Sequence, residues 1–278
     1  MHKLAVVSLA LLALPVAAED IAFLEASSEL DDGRPLTNMY NAVDGRDGTA
    51  WCSKKEDAGS AYLSFGFDQP VTVTHLGLVV GALKGTDLDK TNKRARIVYV
   101  ADAEHRVEAK FKDDAALQLL ELVPAAKGRR IVIEFPGAYG PDAPLCLAEV
   151  VLKNKDVLMT GANVASKMRA VNRPARRLLH EWIDDVSAPS RTLLFNLDGT
   201  FSYRFEPLLE GKPKKLKGKW SALDRSITFT IGDKSWRVDT RIAQVDGGDS
   251  DTTELVITGD PPHPSMAATF RRAPARLP

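Results

Sequence analysis

Three oxygen-bearing side chains crowd one short run. In NAVDGRDGTAWCS, residues 41–53, Asp44, Asp47 and Thr49 are interleaved with Gly45 and Gly48, just ahead of Trp51 and Cys52. Asp-Gly pairs make tight turns, because glycine tolerates positive φ and aspartate bonds its own backbone. Such turns aim carbonyl oxygens inward and, with a carboxylate and a hydroxyl, gather hard oxygen ligands. Calcium takes about six to eight oxygens. The run alone supplies too few and needs a carboxylate from a distant part of the chain. More plainly, the same residues read as an Asx-rich turn entering a strand, with Trp51 in the core.

Other chemistry is sparse. The sequence holds no Gly-x-Ser-x-Gly, no His-Glu-x-x-His, no phosphate loop and no CxxC. His75, His105, His180 and His263 are scattered, and no pair has metal-ligand spacing. His180 with Glu181 reads as a surface pair. The acidic run DGGDSDTTE (246–254) lacks the glycine that a calcium loop of the EF-hand kind places at its sharp turn. The expectation is a protein with no catalysis of its own.

The elements that position these residues begin with the N-terminus. His2 and Lys3 precede an apolar run from Leu4 to Leu14 and the small residues Val16-Ala17-Ala18. That is the pattern of a secretory signal peptide cleaved after Ala18, and the run is too short to span a bilayer comfortably. The mature protein is therefore expected to be secreted or periplasmic. In an oxidising compartment an even cysteine count favours a bridge between Cys52 and Cys146; two unpaired buried cysteines are the alternative. The formal net charge of the 278 residues is zero, without the basic excess of a nucleic-acid binder.

Hydropathy alternates through most of the chain. AYLSFGFDQPVTVTHLGLVVG (61–81) reads as strands around a Gln69-Pro70 turn. ARIVYVADAEHRVEAKFK (95–112) gives two strands, and LQLLELV (117–123) fits a strand or a helical turn. GRRIVIEFPGAYG and PLCLAEVVLKNKDVLM add more, the latter bending at Asn154. Residues 159–187 are richer in Ala, Arg and Leu, and Asn172 with Pro174 fits a helix start, so this segment is read as a short helical linker. Beyond it, Asp198-Gly199, Leu223-Asp224-Arg225 and Gly232-Asp233 mark hairpin turns.

The order of these pieces resembles a known family. Asn41-Ala42-Val43-Asp44-Gly45, Thr49-Ala50-Trp51-Cys52, Gly81, Thr91-Asn92-Lys93-Arg94 and Cys146-Leu147-Ala148-Glu149-Val150 follow one another as in discoidin-type, galactose-binding-like sandwiches. More narrowly, they resemble the NADase-type glycan-binding domain of secreted bacterial proteins, over residues from about 25 to 153. The resemblance implies a bridge from Cys52 to Cys146. It also implies a structural calcium held by Asp44, Asp47 and Thr49 with Glu149 as the distant carboxylate. Arg46 and Gly48 depart from the usual pattern there. It further implies a glycan face on loops, with Tyr40 and Tyr139 as stacking platforms and Asp87, Asp89 and Lys90 as polar neighbours; the plain alternative is a core tyrosine and a solvated charged loop.

The last part, through Phe195, Asp198, Gly199, Thr200, Phe201, Gly218, Trp220 and Phe229, resembles lipocalin-like small β-barrels. Trp220 and Trp236 read as core. KPKKLKGK (212–219) reads as a solvated edge strand guarded by lysines, with a patch for acidic glycan, lipid headgroup or acidic protein as the alternative. The fold class expected is all-β: signal peptide 1–18, discoidin-like sandwich 19–158, helical linker 159–187 and small barrel 188–274. The function expected is glycan binding at the cell surface or envelope. An envelope factor that docks on protein and binds no sugar is the alternative.

Overall fold

Alternating apolar and polar residues bury one face of a strand, and this pattern builds the whole chain. The computed structural model describes residues 21–30, 39–46, 48–81, 91–160, 164, 167, 171, 175, 178–184, 190–207, 212–245 and 252–273. The first unit contains β1 (Ile21–Ala26), β2 (Trp51–Cys52), β3 (Tyr62–Val80), β4 (Lys93–Ala101), β5 (Arg106–Lys110), β6 (Gln118–Tyr139), β7 (Leu145–Asn154) and β8 (Val157–Leu158). Their order along the sheet is β1-β3-β6-β4-β7-β2.

Two long strands turn that sheet into a sandwich. β3 pairs with β1 and the later half of β6 near its start, then with β7 and the earlier half of β6 near its end. Both strands thus pass from one layer to the other. The bend falls where the β3–β6 register shifts between Gly66 and Val71, so Gln69-Pro70 is an irregularity within one strand and not a hairpin turn. Pairing on both sides of it holds the strand continuous. LQLLELV resolves as strand, and Lys155, at positive φ, turns the chain just after Asn154.

The second unit is a closed barrel of β10 (Ser190–Phe195), β11 (Thr200–Glu206), β12 (Lys214–Leu223), β13 (Ser226–Ile231), β14 (Lys234–Val245), β15 (Thr252–Thr258), β16 (Thr269–Arg272) and β9 (Glu181–Asp184). Phe195, Phe201, Phe229, Phe270 and Trp182 fill it, each less than 2% exposed. Trp220 is buried and Trp236 half-buried. Gly218 permits a close approach of β12 to β13: a Cβ there would lie 2.3 Å from the Thr230 carbonyl oxygen.

Two expectations change here. The stretch read as linker contributes the barrel's closing strand, because Trp182 and Asp184 alternate inward beside Leu193 and Arg191. Helical conformation is present at Val164, Lys167 and Ala175. And His180 is not on the surface; it is buried between the rings of Phe23 and Trp182 at 6.1 and 6.0 Å. Burial among these rings, with Arg272 and Arg130 nearby, holds its imidazole well below the ordinary range.

The units share one core, and β1 is the seam. The Leu197 amide donates to the Ala22 carbonyl at 2.6 Å. Phe23 lies so close to β3 that a Cβ on Gly66 would fall 2.0 Å from its ring. Glu25, nearly buried, meets Arg272 at 2.7 Å and Arg130 at 3.6 Å, and Arg130 reaches Glu181 at 3.5 Å. Burial raises the Glu25 carboxyl, and the two guanidiniums pull it back. Among the described residues no helix is long and apolar enough to cross a membrane.

Candidate functional site

The sandwich carries two polar constellations near its disulfide. Cys52 and Cys146 lie opposite each other in the β2–β7 ladder and are bridged. Beside them Lys93 and Arg94 of β4 pair in parallel with Leu145 and Cys146, and the Gly81 amide donates to the Cys146 carbonyl at 3.1 Å. Segments far apart in sequence are therefore fixed together at one end of the sandwich.

The first constellation is the loop after the 3₁₀ turn Met39–Val43. Asp44 is buried, and its carboxylate accepts from Thr49 Oγ1 at 3.0 and 2.9 Å and from the Arg46 amide at 3.0 Å. Glu149 of β7, also buried, accepts from the Gly45 amide at 2.9 Å through Oε2. Burial, reinforced by the neighbouring Asp44 charge, pushes the Glu149 carboxyl up to about 8. The long-range carboxylate that the loop lacked is thus beside it. Asp47 lies outside the described residues, and Arg46 is exposed. Two buried carboxylates and a hydroxyl are hard oxygen donors whose mutual repulsion a cation would relieve, so the donor chemistry fits calcium. Among the described residues no cluster of three or more His, Cys, Asp or Glu forms; main-chain oxygens would have to complete the shell.

The second constellation is the rim where β4 starts and β6 ends. Arg94 lies opposite Tyr139 in the ladder. Its guanidinium donates to Asp113 from Nε at 2.5 Å and from Nη2 at 2.9 Å, and to the Asn92 carbonyl from Nη1 at 3.2 Å. That hydrogen bonding holds the Asp113 carboxyl below its ordinary range. Tyr139 is half-buried, donates to the Phe111 carbonyl at 3.3 Å, and has the Arg96 guanidinium 5.4 Å from its ring centroid. Asn92 is buried, and its Nδ2 finds no hydrogen-bond partner among the described residues. On the far side Asp142 pairs with Lys55 at 3.0 Å and Lys93 at 3.4 Å. An aromatic ring beside a fork of donors, carboxylates and an unused amide can stack on an apolar face and bond hydroxyls. It offers no activated nucleophile.

Tyr40 does not share this rim. It is 6% exposed, packs in the core, and its hydroxyl reaches the Leu24 carbonyl at 3.5 Å. A buried ring has no free face for a sugar, so the expectation of a platform there is corrected to a core role. Asp87, Asp89 and Lys90 lie outside the described residues. Asn92 and Arg94 belonged to a motif whose chemistry was not read from the sequence. Nothing in the sequence marked Asp113, an acid in the loop between β5 and β6.

No family model matches the chain, and no curated protein matches it. Solved structures do. CpGH89CBM32-5 from Clostridium perfringens, in complex with GalNAc-β-1,3-galactose, is 15% identical with a TM-score of 0.38, covering 47% of this chain and 94% of that one. The F5/8 type C domain of a Bacteroides fragilis protein is 18% identical with a TM-score of 0.37, covering 50% and 91%. The family 32 module of C. perfringens NanJ, in complex with galactose, is 15% identical with a TM-score of 0.36, covering 46% and 90%. The chain is similar to these discoidin-like modules over about half its length, an overlap from which neither ligand nor site follows.

Proposed function

We propose that this chain is an exported, non-catalytic protein that binds glycan at the sandwich rim around Tyr139. The observation that carries the reading is the convergence of a half-buried Tyr139 ring, the Arg94–Asp113 pair and the unsatisfied, buried Asn92 amide. Sugars present apolar ring faces beside hydroxyls, and this set answers both. Asp44, Thr49 and Glu149, with Asp47, would hold a calcium ion whose work is structural: it neutralises the paired carboxylates and stiffens the loop that leads into β2.

The test is binding of the exported chain to a broad glycan array, with calcium and with chelator in parallel. Tyr139→Ala is expected to weaken binding about tenfold, the worth of one aromatic contact. Chelator is expected to weaken it less, by loosening the loop. A folded, disulfide-bonded protein with no glycan signal, or binding untouched by Tyr139→Ala, overturns the reading.

One observation favours the alternative of a protein-docking envelope factor. Leu117, Leu119 and Val123, at and before the start of β6, are 53%, 44% and 76% exposed. Such an apolar ridge fits a protein partner better than a sugar. Charged replacements at Leu119 and Val123 that abolish capture of a partner while sparing glycan binding would select it.

A further inference from the structure

The lysine run on the barrel has a simple explanation that covers only part of it. Lysines guard a strand whose edge is open to pairing with other chains. β12 pairs with β11 over 214–219 and with β13 over 219–223, so only 214–218 lack a ladder partner, on the β13 side. An open edge there explains lysines in general but not their register, so the four lysines of β12 are read by what they face.

Register sorts them. Side chains alternate across a strand, and Trp220 and Ala222 of β12 are buried inward. Lys215, Lys217 and Lys219 therefore share the outward face, and all three are exposed. They stand in one line, roughly 7 Å from each to the next. Arg204 lies opposite Lys215 on β11 and extends the line sideways. Lys217 meets Asp68 of the sandwich at 2.9 Å, and Arg129 stands near enough to that carboxylate to help hold it below its ordinary range. Arg204 pairs with Glu206. Lys215 and Lys219 have no acidic partner among the described residues.

Between the cations the face is hydroxylic. Ser202 and Thr200 of β11 lie opposite Lys217 and Lys219; Thr230 of β13 lies opposite Lys219 from the other side, and Thr228 opposite Ser221. Thr230 and Ser235 hydroxyls are 3.0 Å apart. Among the described residues of β9 to β16, Leu223 is the one large apolar side chain that is strongly exposed, and it sits at the end of β12.

We propose that this face of the barrel is a docking surface for a linear anionic polysaccharide lying along β12. A row of cations suits a linear polyanion more than it suits a membrane plane, which would also need several apolar side chains to insert. The face carries no aromatic platform for single-stranded nucleic acid and no helix to enter a duplex groove. The interleaved serine and threonine hydroxyls bond sugar hydroxyls in the same row in which lysines meet carboxylates, and an acidic polypeptide would leave them unused. The site is separate from the Tyr139 rim and stands or falls independently of it.

Affinity electrophoresis and a titration of the full exported chain against hyaluronate, with neutral dextran as control, test this. Hyaluronate is expected to retard the protein and dextran to leave it unmoved. K215S/K217S/K219S is expected to bind about tenfold more weakly, at roughly two- to threefold per exposed charge pair, with a flatter dependence on salt. K215S/K219S, which keeps the Lys217–Asp68 pair, is expected to lose about two-thirds as much on a logarithmic scale. K215R/K217R/K219R should retain binding, and Tyr139→Ala should not alter it. The lysines are exposed, so melting temperatures should be unchanged. Hyaluronate that fails to retard the wild type, or retards the triple serine variant equally, overturns the proposal. So does tighter binding, at equal salt, to polyglutamate, duplex DNA or phosphatidylglycerol vesicles.

Discussion

The sandwich and the barrel are both all-β, yet they are built by opposite routes. In the barrel each strand from β10 to β16 pairs with the next in sequence, and only β9 closes the ring from before. In the sandwich β1 pairs with β3, β2 with β7, β3 with β6 and β7, and Cys52 is bridged to Cys146 across 94 positions. Distant pairing brings unlike groups together: Asp44 meets Glu149, and Arg94 meets Tyr139, because strands far apart in sequence pair, while Asp113 reaches Arg94 from the end of the β4–β5 hairpin. Local pairing instead repeats one pattern along one face, and yields a stripe of like side chains such as the lysines of β12. Sites made of unlike groups are assembled in the first unit, and extended uniform surfaces in the second.

Removing the bridge should produce the largest effect. Cys52→Ser with Cys146→Ser is expected to cost about 4 to 5 kcal/mol by the loop-closure argument, read from denaturant unfolding. The loss belongs to the sandwich, and barrel hairpins should retain the slowest amide exchange. Equal deprotection of both units would erase the contrast. Next comes the seam. Arg130→Ala leaves Glu25 buried with one cation in place of two and should cost about 3 kcal/mol. The wild type is expected to melt in one transition because its core is continuous, and the variant in two. Two transitions in the wild type would show that the units are independent.

A smaller effect follows from Glu149. Its carboxyl stands at about 8 in the folded chain against an ordinary 4.5. The folded state therefore holds the extra proton, so stability from this group is full below about 4.5 and is lost as pH rises through about 8. The loss should be on the order of 2 kcal/mol in metal-free protein, less than the whole shift because water and main-chain donors relax around the ionised group. Glu149→Gln should flatten the melting temperature between pH 5 and 9 (roughly the window set by these two values). Calcium should restore wild-type stability at the alkaline end, and a flat wild-type profile would argue against two crowded carboxylates.

The same contrast explains what could be read from the sequence. Asp198-Gly199, Asp224-Arg225 and Gly232-Asp233 announced the barrel's hairpins because the information is local: Gly199, Asp224 and Gly232 take the positive φ these turns need. The residues closing the barrel were missed, since Glu181–Asp184 lies too close to an Ala- and Arg-rich stretch for its alternation to stand out. In the sandwich the disulfide was legible from the even cysteine count as well as from the order of motifs, but the Asp44–Glu149 encounter only from that order, as spacing cannot reveal which distant carboxylate arrives. Tyr40 and Tyr139 look alike in sequence; the short turn at Met39–Val43 buries one ring, and the end of β6 leaves the other at the rim. Asp113 carried no local signal at all.

The seam has a bearing on synthesis. β1 is among the first strands to leave the ribosome and β16 among the last, yet Glu25 of one takes Arg272 of the other as its nearest cation. A nascent chain can form the sandwich and most of the barrel while that carboxylate still lacks its second cation. β16 therefore completes the charge balance of β1 as well as the ring of the barrel. A product cut short before Thr269 leaves the buried Glu25 with Arg130 as its one cation, and the seam is loosened.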